Sequence, residues 1–286
     1  QIASFRRFLL FVRDTIRWEA LTVTPGLRYE RIDLKQSNYG AADPDRNGAP
    51  AVARNQVDVW LPGVGATLAV SDAFSLVAGV HRGFVNPSPG SDADAEASWN
   101  YEAGLRYQRG AGSLDAMAFF VDYQNLLGTC TASTGGDCVI GTQFDGGEAA
   151  VHGLELVAAW DAGRALGSDW SLPLSAVYTW TQGEFRTSFN SSFAEWGNVH
   201  EGDELPLVPE HQLTLNAGID AERWRGFLTL NYVEETRSVA GSGPIPAGER
   251  IDGRTLLDLS AEFDLAAGTT LFASATNLTD ETYNVA

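Results

Sequence analysis

Apolar side chains return at every second position along most of this chain. That is the period of a strand with one face in an apolar medium and the other in a polar one. From Leu21 to Glu30 the odd positions carry Leu21, Val23, Pro25, Leu27 and Tyr29, against Thr22, Thr24, Gly26, Arg28 and Glu30. Tyr101, Ala103, Leu105 and Tyr107 oppose Asn100, Glu102, Gly104, Arg106 and Gln108 in the same way. The split recurs at Leu213, Leu215, Ala217 and Ile219, and again at Leu257, Leu259, Ala261 and Phe263. Such segments number about twelve and run to roughly 10 to 14 residues, longer than the strands of soluble sheets and matched to a bilayer.

The pattern places strands at 5–18, 20–33, 56–71, 74–85, 97–109, 113–127, 149–161, 168–183, 207–219, 223–236, 254–264 and 268–278. Their connections alternate in length. Those at 18–20, 71–73, 109–112, 161–167, 220–222 and 265–268 are short, whereas 34–55, 86–96, 128–148, 183–206 and 237–253 are long. An up-and-down antiparallel meander with tight turns at one rim and extended loops at the other is the layout of an outer-membrane β-barrel. A sandwich of soluble sheets supplies no reason for that alternation.

Composition narrows the class further. With 19 Lys+Arg against 37 Asp+Glu the formal net charge is -18, and Lys35 is the only lysine, so a phosphate backbone is repelled and nucleic acid is excluded as a partner. Apolar runs such as Phe8 to Val12 fall far short of the roughly 20 residues a membrane helix needs. Arg6 and Arg7 precede a short apolar stretch, but no small-residue cleavage site follows, so the N-terminus reads as mid-protein sequence. Aromatic residues form two bands on the apolar face. Trp18, Phe74, Trp160, Trp170 and Trp224 lie near the short turns, and Tyr29, Tyr123, Tyr178, Trp180 and Tyr232 near the long loops, as amphipathic rings do at both membrane interfaces.

If the apolar face meets lipid, then Arg28, Glu30, Glu102, Arg106, Glu155, Asp258 and Glu262 point into a lumen that is water-filled or occupied by protein. Cys130 and Cys138, the only cysteines, share one long loop and in an oxidising compartment most simply form a disulfide. A free pair or a metal site is the alternative, and two sulfurs with no nearby histidine make a poor zinc site. The four histidines, His81, His152, His200 and His211, are dispersed, and no hydrolase or nucleotide-binding motif is present. His200 with Glu201, Asp203 and Glu204 reads as a solvated acidic loop rather than a catalytic or metal cluster. Asp92, Asp94 and Glu96 lack the spacing of a calcium loop.

Four segments carry a family resemblance. Leu21 to Glu30 resembles a barrel strand of the TonB-dependent outer-membrane receptors, and Gly79 to Gly90, reading GVHRGFVNPSPG, is similar to their ferric-dicitrate branch. Leu205 to Gln212 resembles the strand entry after a late external loop. Asn277 to Tyr283 resembles the penultimate-strand signature, with Thr279 where an aromatic is common. The resemblance implies a plugged barrel of about 22 strands that imports an Fe(III) chelate across the Gram-negative outer membrane. Its partners would be outer-membrane lipid, the ferric chelate and the inner-membrane TonB-ExbB-ExbD complex acting through an N-terminal plug, with no resident cofactor or metal. Residues 1–286 are then expected to be one partial barrel domain, without the plug and without the closing strand.

A citrate-type chelate is anionic, and Arg offers planar bidentate recognition of carboxylates. Arg82 beside the Pro-rich loop, Arg186, Arg237 and Arg250 are the candidates at the long-loop rim, with Arg54 and Arg254 close by. Two other functions share the pattern. A general porin needs no plug, and a barrel hydrolase needs a nucleophile partnered by a histidine such as His200 or His211.

Overall fold

The computed structural model describes residues 2–40, 42–132, 134, 138–266 and 268–283. Twelve long strands follow in chain order: β1 (Ile2–Arg13), β2 (Leu21–Asn38), β3 (Ala51–Ser71), β4 (Phe74–Val85), β5 (Glu96–Arg109), β6 (Gly112–Tyr123), β7 (Ala149–Asp161), β8 (Pro173–Phe185), β9 (His211–Asp220), β10 (Trp224–Val233), β11 (Arg254–Ala266) and β12 (Thr269–Ala275). Each pairs antiparallel with its neighbour in sequence, so the wall is one meander, and the short strand Ile16–Trp18 continues the line of β1 along β2. The sheet is open, with β1 and β12 as its edges. No helix among the described residues is long and apolar enough to cross a membrane.

The expected strands at 74–85 and 149–161 coincide with β4 and β7. The eighth starts later than expected, at Pro173, because Ala162–Ala165 forms a helical turn, α1. Asp161 caps it, its Oδ1 accepting from the backbone N–H groups of Arg164 and Leu172 at 3.0 Å each. In the tight turn between β5 and β6, Gly110 has φ 60, a left-handed conformation that favours glycine.

The second and third strands outrun their expected limits, pairing without a break from Leu21↔Leu68 to Asn38↔Ala51. The periodicity stops short there because its phase inverts. Up to Tyr29 the odd positions are apolar, but beyond it Arg31 and Asp33 take that face, while Ile32 and Leu34 turn to the other and are buried. In β7 Leu154 gives way to His152 on the outward face, and Val151 and Ala149 turn inward.

Burial shows why. At mid-height the outward face leaves large apolar groups exposed, among them Leu10, Val64, Tyr101, Leu215 and Leu228, as a lipid-facing surface must. Above the aromatic band, where Tyr29 packs on Trp60 at 4.8 Å between ring centroids, water replaces lipid outside and the long loops fold over the inside. The hydrophobic effect therefore buries the opposite face there. The core of this protein accordingly lies at the long-loop rim: Ala149, Phe185, Phe193, Trp196, Val199 and Leu205 form its buried cluster.

Candidate ligand-capture site

The long loops are tied to one another. In the loop after β4, the Gly90 N–H donates to Asn55 Oδ1 on β3 (2.8 Å) and the Asp94 N–H to Asp145 Oδ1 in the next loop (3.0 Å). Leu127 N–H donates to Glu96 Oε2 at 2.9 Å. Further along, Ala240 N–H donates to the Glu195 carbonyl, Glu204 N–H to that of Gly241 and Leu207 N–H to that of Arg237, each at 2.8 Å. Three two-stranded pairs stiffen these loops internally: Leu127–Thr129 with Gln143–Asp145, Phe189–Asn190 with Asn198–Val199, and Thr236–Arg237 with Arg250–Ile251. Cys130 and Cys138 are joined by a disulfide, their Cα atoms 6.2 Å apart.

An aromatic knot holds the frame. Trp196 meets Phe193, Phe189 and Phe185 edge-on at 4.9, 5.7 and 6.0 Å, and Phe144 stacks on Phe193 at 5.2 Å. Gly128 and Gly146 pass so close that an added Cβ would come within 2.8 and 2.5 Å of the Trp196 ring. Phe185 and Ala149 lie opposite each other in the β7–β8 ladder, so the knot seats on the inward face of the wall. The loops thus cover the lumen side rather than standing away from it.

Glu195 belongs to this frame, and burial raises its carboxyl above the usual range, against an opposing hydrogen bond with Thr134. A carboxyl whose folded pKa is raised contributes stability that is present below its unfolded pKa and is lost as pH rises through the folded value. Glu195→Gln is therefore expected to protect the loops better than the parent at neutral pH. The advantage should vanish below the ordinary carboxylate range. Hydrogen exchange of loop amides across pH checks this, and a pH-independent difference would refute it.

The four candidate arginines have different surroundings. Arg237 is 3% exposed, with Nε donating to Glu204 Oε2 (2.8 Å) and a terminal nitrogen donating to the Gly243 carbonyl (2.9 Å). Arg186 lies 3.6 Å from Glu184, and Arg250 lies 3.0 Å from Asp252 and 3.9 Å from Glu235, both arginine side chains half-exposed. Arg82 stands opposite Trp99 on the face of Val80, and its Nε is buried without a hydrogen-bond partner. The loops bring Arg237 and Arg250 opposite each other in one short ladder.

Other acidic groups have local duties. Asp203 Oδ2 accepts from His200 N–H at 2.8 Å, which makes that cluster a turn. In the wall, Glu30 is fully buried and its Oε1 receives Arg7 at 2.6 Å and Arg28 at 2.8 Å. Arg106 and Asp115 pair at 3.5 Å, and Arg225 lies 3.3 Å from both Glu262 and Asp264. One grouping had no signal in the sequence: Glu210, His211 and Glu234 converge from two strands, with ligating atoms within 4.8 Å of one another. Trp180, then Gln182, donates to Glu210 Oε1, which holds that carboxyl below the usual range.

Comparison with known proteins agrees with this architecture. The family model described as TonB dependent receptor-like, beta-barrel matches residues 2–278. The ferric citrate transporter FecA in its unliganded form superposes with a TM-score of 0.75 at 20% identity, over 98% of this chain and 41% of that one. The siderophore receptor PiuA from Acinetobacter baumannii gives 0.74 at 17%, over 98% and 40%. The ferric yersiniabactin uptake receptor FyuA from Yersinia pestis gives 0.69 at 20%, over 98% and 42%. The chain thus spans about two fifths of the length of these receptors. With its alternating wall, inward-folded loops and a match along nearly its whole length, the chain belongs to the TonB-dependent receptor β-barrel family.

Proposed function

We propose that this chain forms wall and external mouth of a Gram-negative outer-membrane receptor that imports an anionic Fe(III) chelate, of the ferric citrate or siderophore class. Import is active transport, energised by the TonB-ExbB-ExbD complex acting on a plug domain. The observation that carries the reading is the loop frame: long loops cross-tied over the inward face build a preorganised mouth, which a ligand-capturing receptor needs and an open diffusion pore does not. The relatives' names, a ferric citrate transporter and siderophore receptors, support the ligand class, as does the resemblance of Gly79 to Gly90 to the ferric-dicitrate branch.

Within that mouth Arg186 and Arg250 supply the carboxylate-recognising cations, Arg82 standing on the outward face of the wall with Val80, and Arg237 places Arg250 through the ladder that pairs them. The test is binding and uptake of radioactive ferric citrate by the full-length receptor in cells with and without TonB. Combined Arg186→Ala and Arg250→Ala substitution should weaken binding by roughly 100-fold or more, since two charged hydrogen bonds at about 1.5 kcal/mol each sum to about 3 kcal/mol, whereas Arg82→Ala should leave affinity unchanged. Unchanged affinity would reject these residues. Uptake that is equal without TonB, with steady ion conductance in planar bilayers, would reject active transport in favour of a porin.

A further inference from the structure

Three metal-ligating side chains meet on the outward face of the wall at the long-loop rim, at the junction of β8, β9 and β10. His211 opens β9, Glu210 precedes it, and Glu234 follows β10, its N–H donating to the His211 carbonyl at 3.0 Å. Tyr178 OH lies 2.9 Å from His211 Nδ1, and the two rings stack. That contact uses one ring nitrogen and fixes the ring plane, leaving Nε2 directed at Glu234 Oε2, 4.0 Å away. The distance is too long for a hydrogen bond. Glu234 Oε2 is itself buried and has no hydrogen-bond partner, a costly condition for a carboxylate oxygen. Glu210 is held from the far side, its Oε1 accepting from Trp180 Nε1 and Gln182 Nε2 at 2.9 Å each, so its other oxygen is available.

From this geometry we infer that Glu210, His211 and Glu234 form a binding site for a first-row divalent cation, of which Zn2+ is the representative, clipping β9 to β10. Donors bonded to zinc at about 2.1 Å lie roughly 3.4 Å apart in a tetrahedron, so ligating atoms within 4.8 Å close on an ion by shifts of about 1 Å. One imidazole and two carboxylates suit zinc with a coordination position left for water. Tyr178, Trp180 and Gln182 supply the outer hydrogen bonds that orient such ligands. Charge favours occupancy too. Glu210 and Glu234 open onto a cavity of about 540 Å3 that Glu184, Glu204 and Glu235 also line, and its Arg237 is committed to Glu204. Because two ligands come from the start of β9 and one from the end of β10, the ion joins the bases of the two loops flanking those strands. The site is independent of which chelate is imported.

The experiment is titration of the folded, chelator-treated full-length receptor in detergent with Zn2+, alongside Co2+ absorption spectra and melting curves. The parent should bind one Zn2+ per chain and melt higher with it. His211→Gln and Glu234→Gln should each weaken binding at least 10-fold and abolish the Co2+ spectrum, and Tyr178→Phe should weaken it several-fold. Glu234→His replaces one ligand by another and should keep Zn2+ binding, which a simple His211–Glu234 ion pair would not allow. Gel mobility before and after heating reports whether each variant is folded. Absence of Zn2+ binding by the parent, or equal binding and equal Zn2+-dependent melting in parent, Tyr178→Phe and Glu234→Gln, would overturn the site.

Discussion

Trp196→Ala should open the external loops by about 3 to 5 kcal/mol, the cost of deleting a buried aromatic ring, while leaving the strand ladders paired. Trp196 is 4% exposed and is the common neighbour of Phe185, Phe189 and Phe193. Gly128 and Gly146 lie against its ring, so the cavity left behind is bounded by backbone that has no side chain to collapse into it. At about 1.4 kcal/mol per decade, protection of loop amides against hydrogen exchange should fall by roughly 100-fold or more over 127–148 and 186–205. Amides in β3 to β6 should change little, because lipid contact and ladder pairing hold them independently of the knot. Loop protection equal to that of the parent would show that the knot does not hold the frame.

Arg237→Met comes next in size and separates two roles for that residue. The guanidinium is buried and satisfies Glu204 and the Gly243 carbonyl. Removing one member of a buried ion pair is strongly destabilising, about 3 to 5 kcal/mol when both partners are buried. Glu204 is 57% exposed and regains water when its partner leaves, so we expect about 2 kcal/mol here. The loss should appear without ligand, as faster exchange and proteolysis across 234–253, and a cycle with Glu204→Gln should show coupling of at least about 0.5 kcal/mol. Chelate affinity should fall as a consequence, because Arg250 is paired with Arg237 across the short ladder. If Arg237 instead contacted ligand directly, affinity would drop while the unliganded loops kept their protection and the cycle showed no coupling.

These two residues mark the boundary of what could be read in the chain. Arg237 was recognisable as a cation near a long loop, but its burial depends on Glu204, which lies 33 positions away. Trp196 was one aromatic among many, outside both bands. The Cys130–Cys138 pairing was readable because two cysteines in one loop have few alternatives. His211 looked like one of four scattered histidines, and only the β9–β10 register brings Glu234 beside it. Likewise Glu30 was placed in the lumen by alternation alone, with Arg28 two positions away on the same face, whereas its partner Arg7 follows only from the pairing of β1 with β2.

The sequence by itself determined the class of the protein, its strand count, the short and long rims and most of the lipid-facing residues; Tyr123, expected in the outer aromatic band, instead faces inward opposite Ala149 and packs on the buried cluster. Each of these follows from a local rule: a strand between lipid and water must alternate, and a tight turn and a long loop differ in length. What only the tertiary structure decided lies above the outer aromatic band. There the surrounding medium changes from lipid to water, the loops fold inward, and the same backbone buries the opposite face, turning Ile32, Val59 and Phe185 into core. The inverted period from Arg31 to Leu34 marks where that change falls, but not what covers the newly apolar face, because that depends on which distant loops fold over the wall.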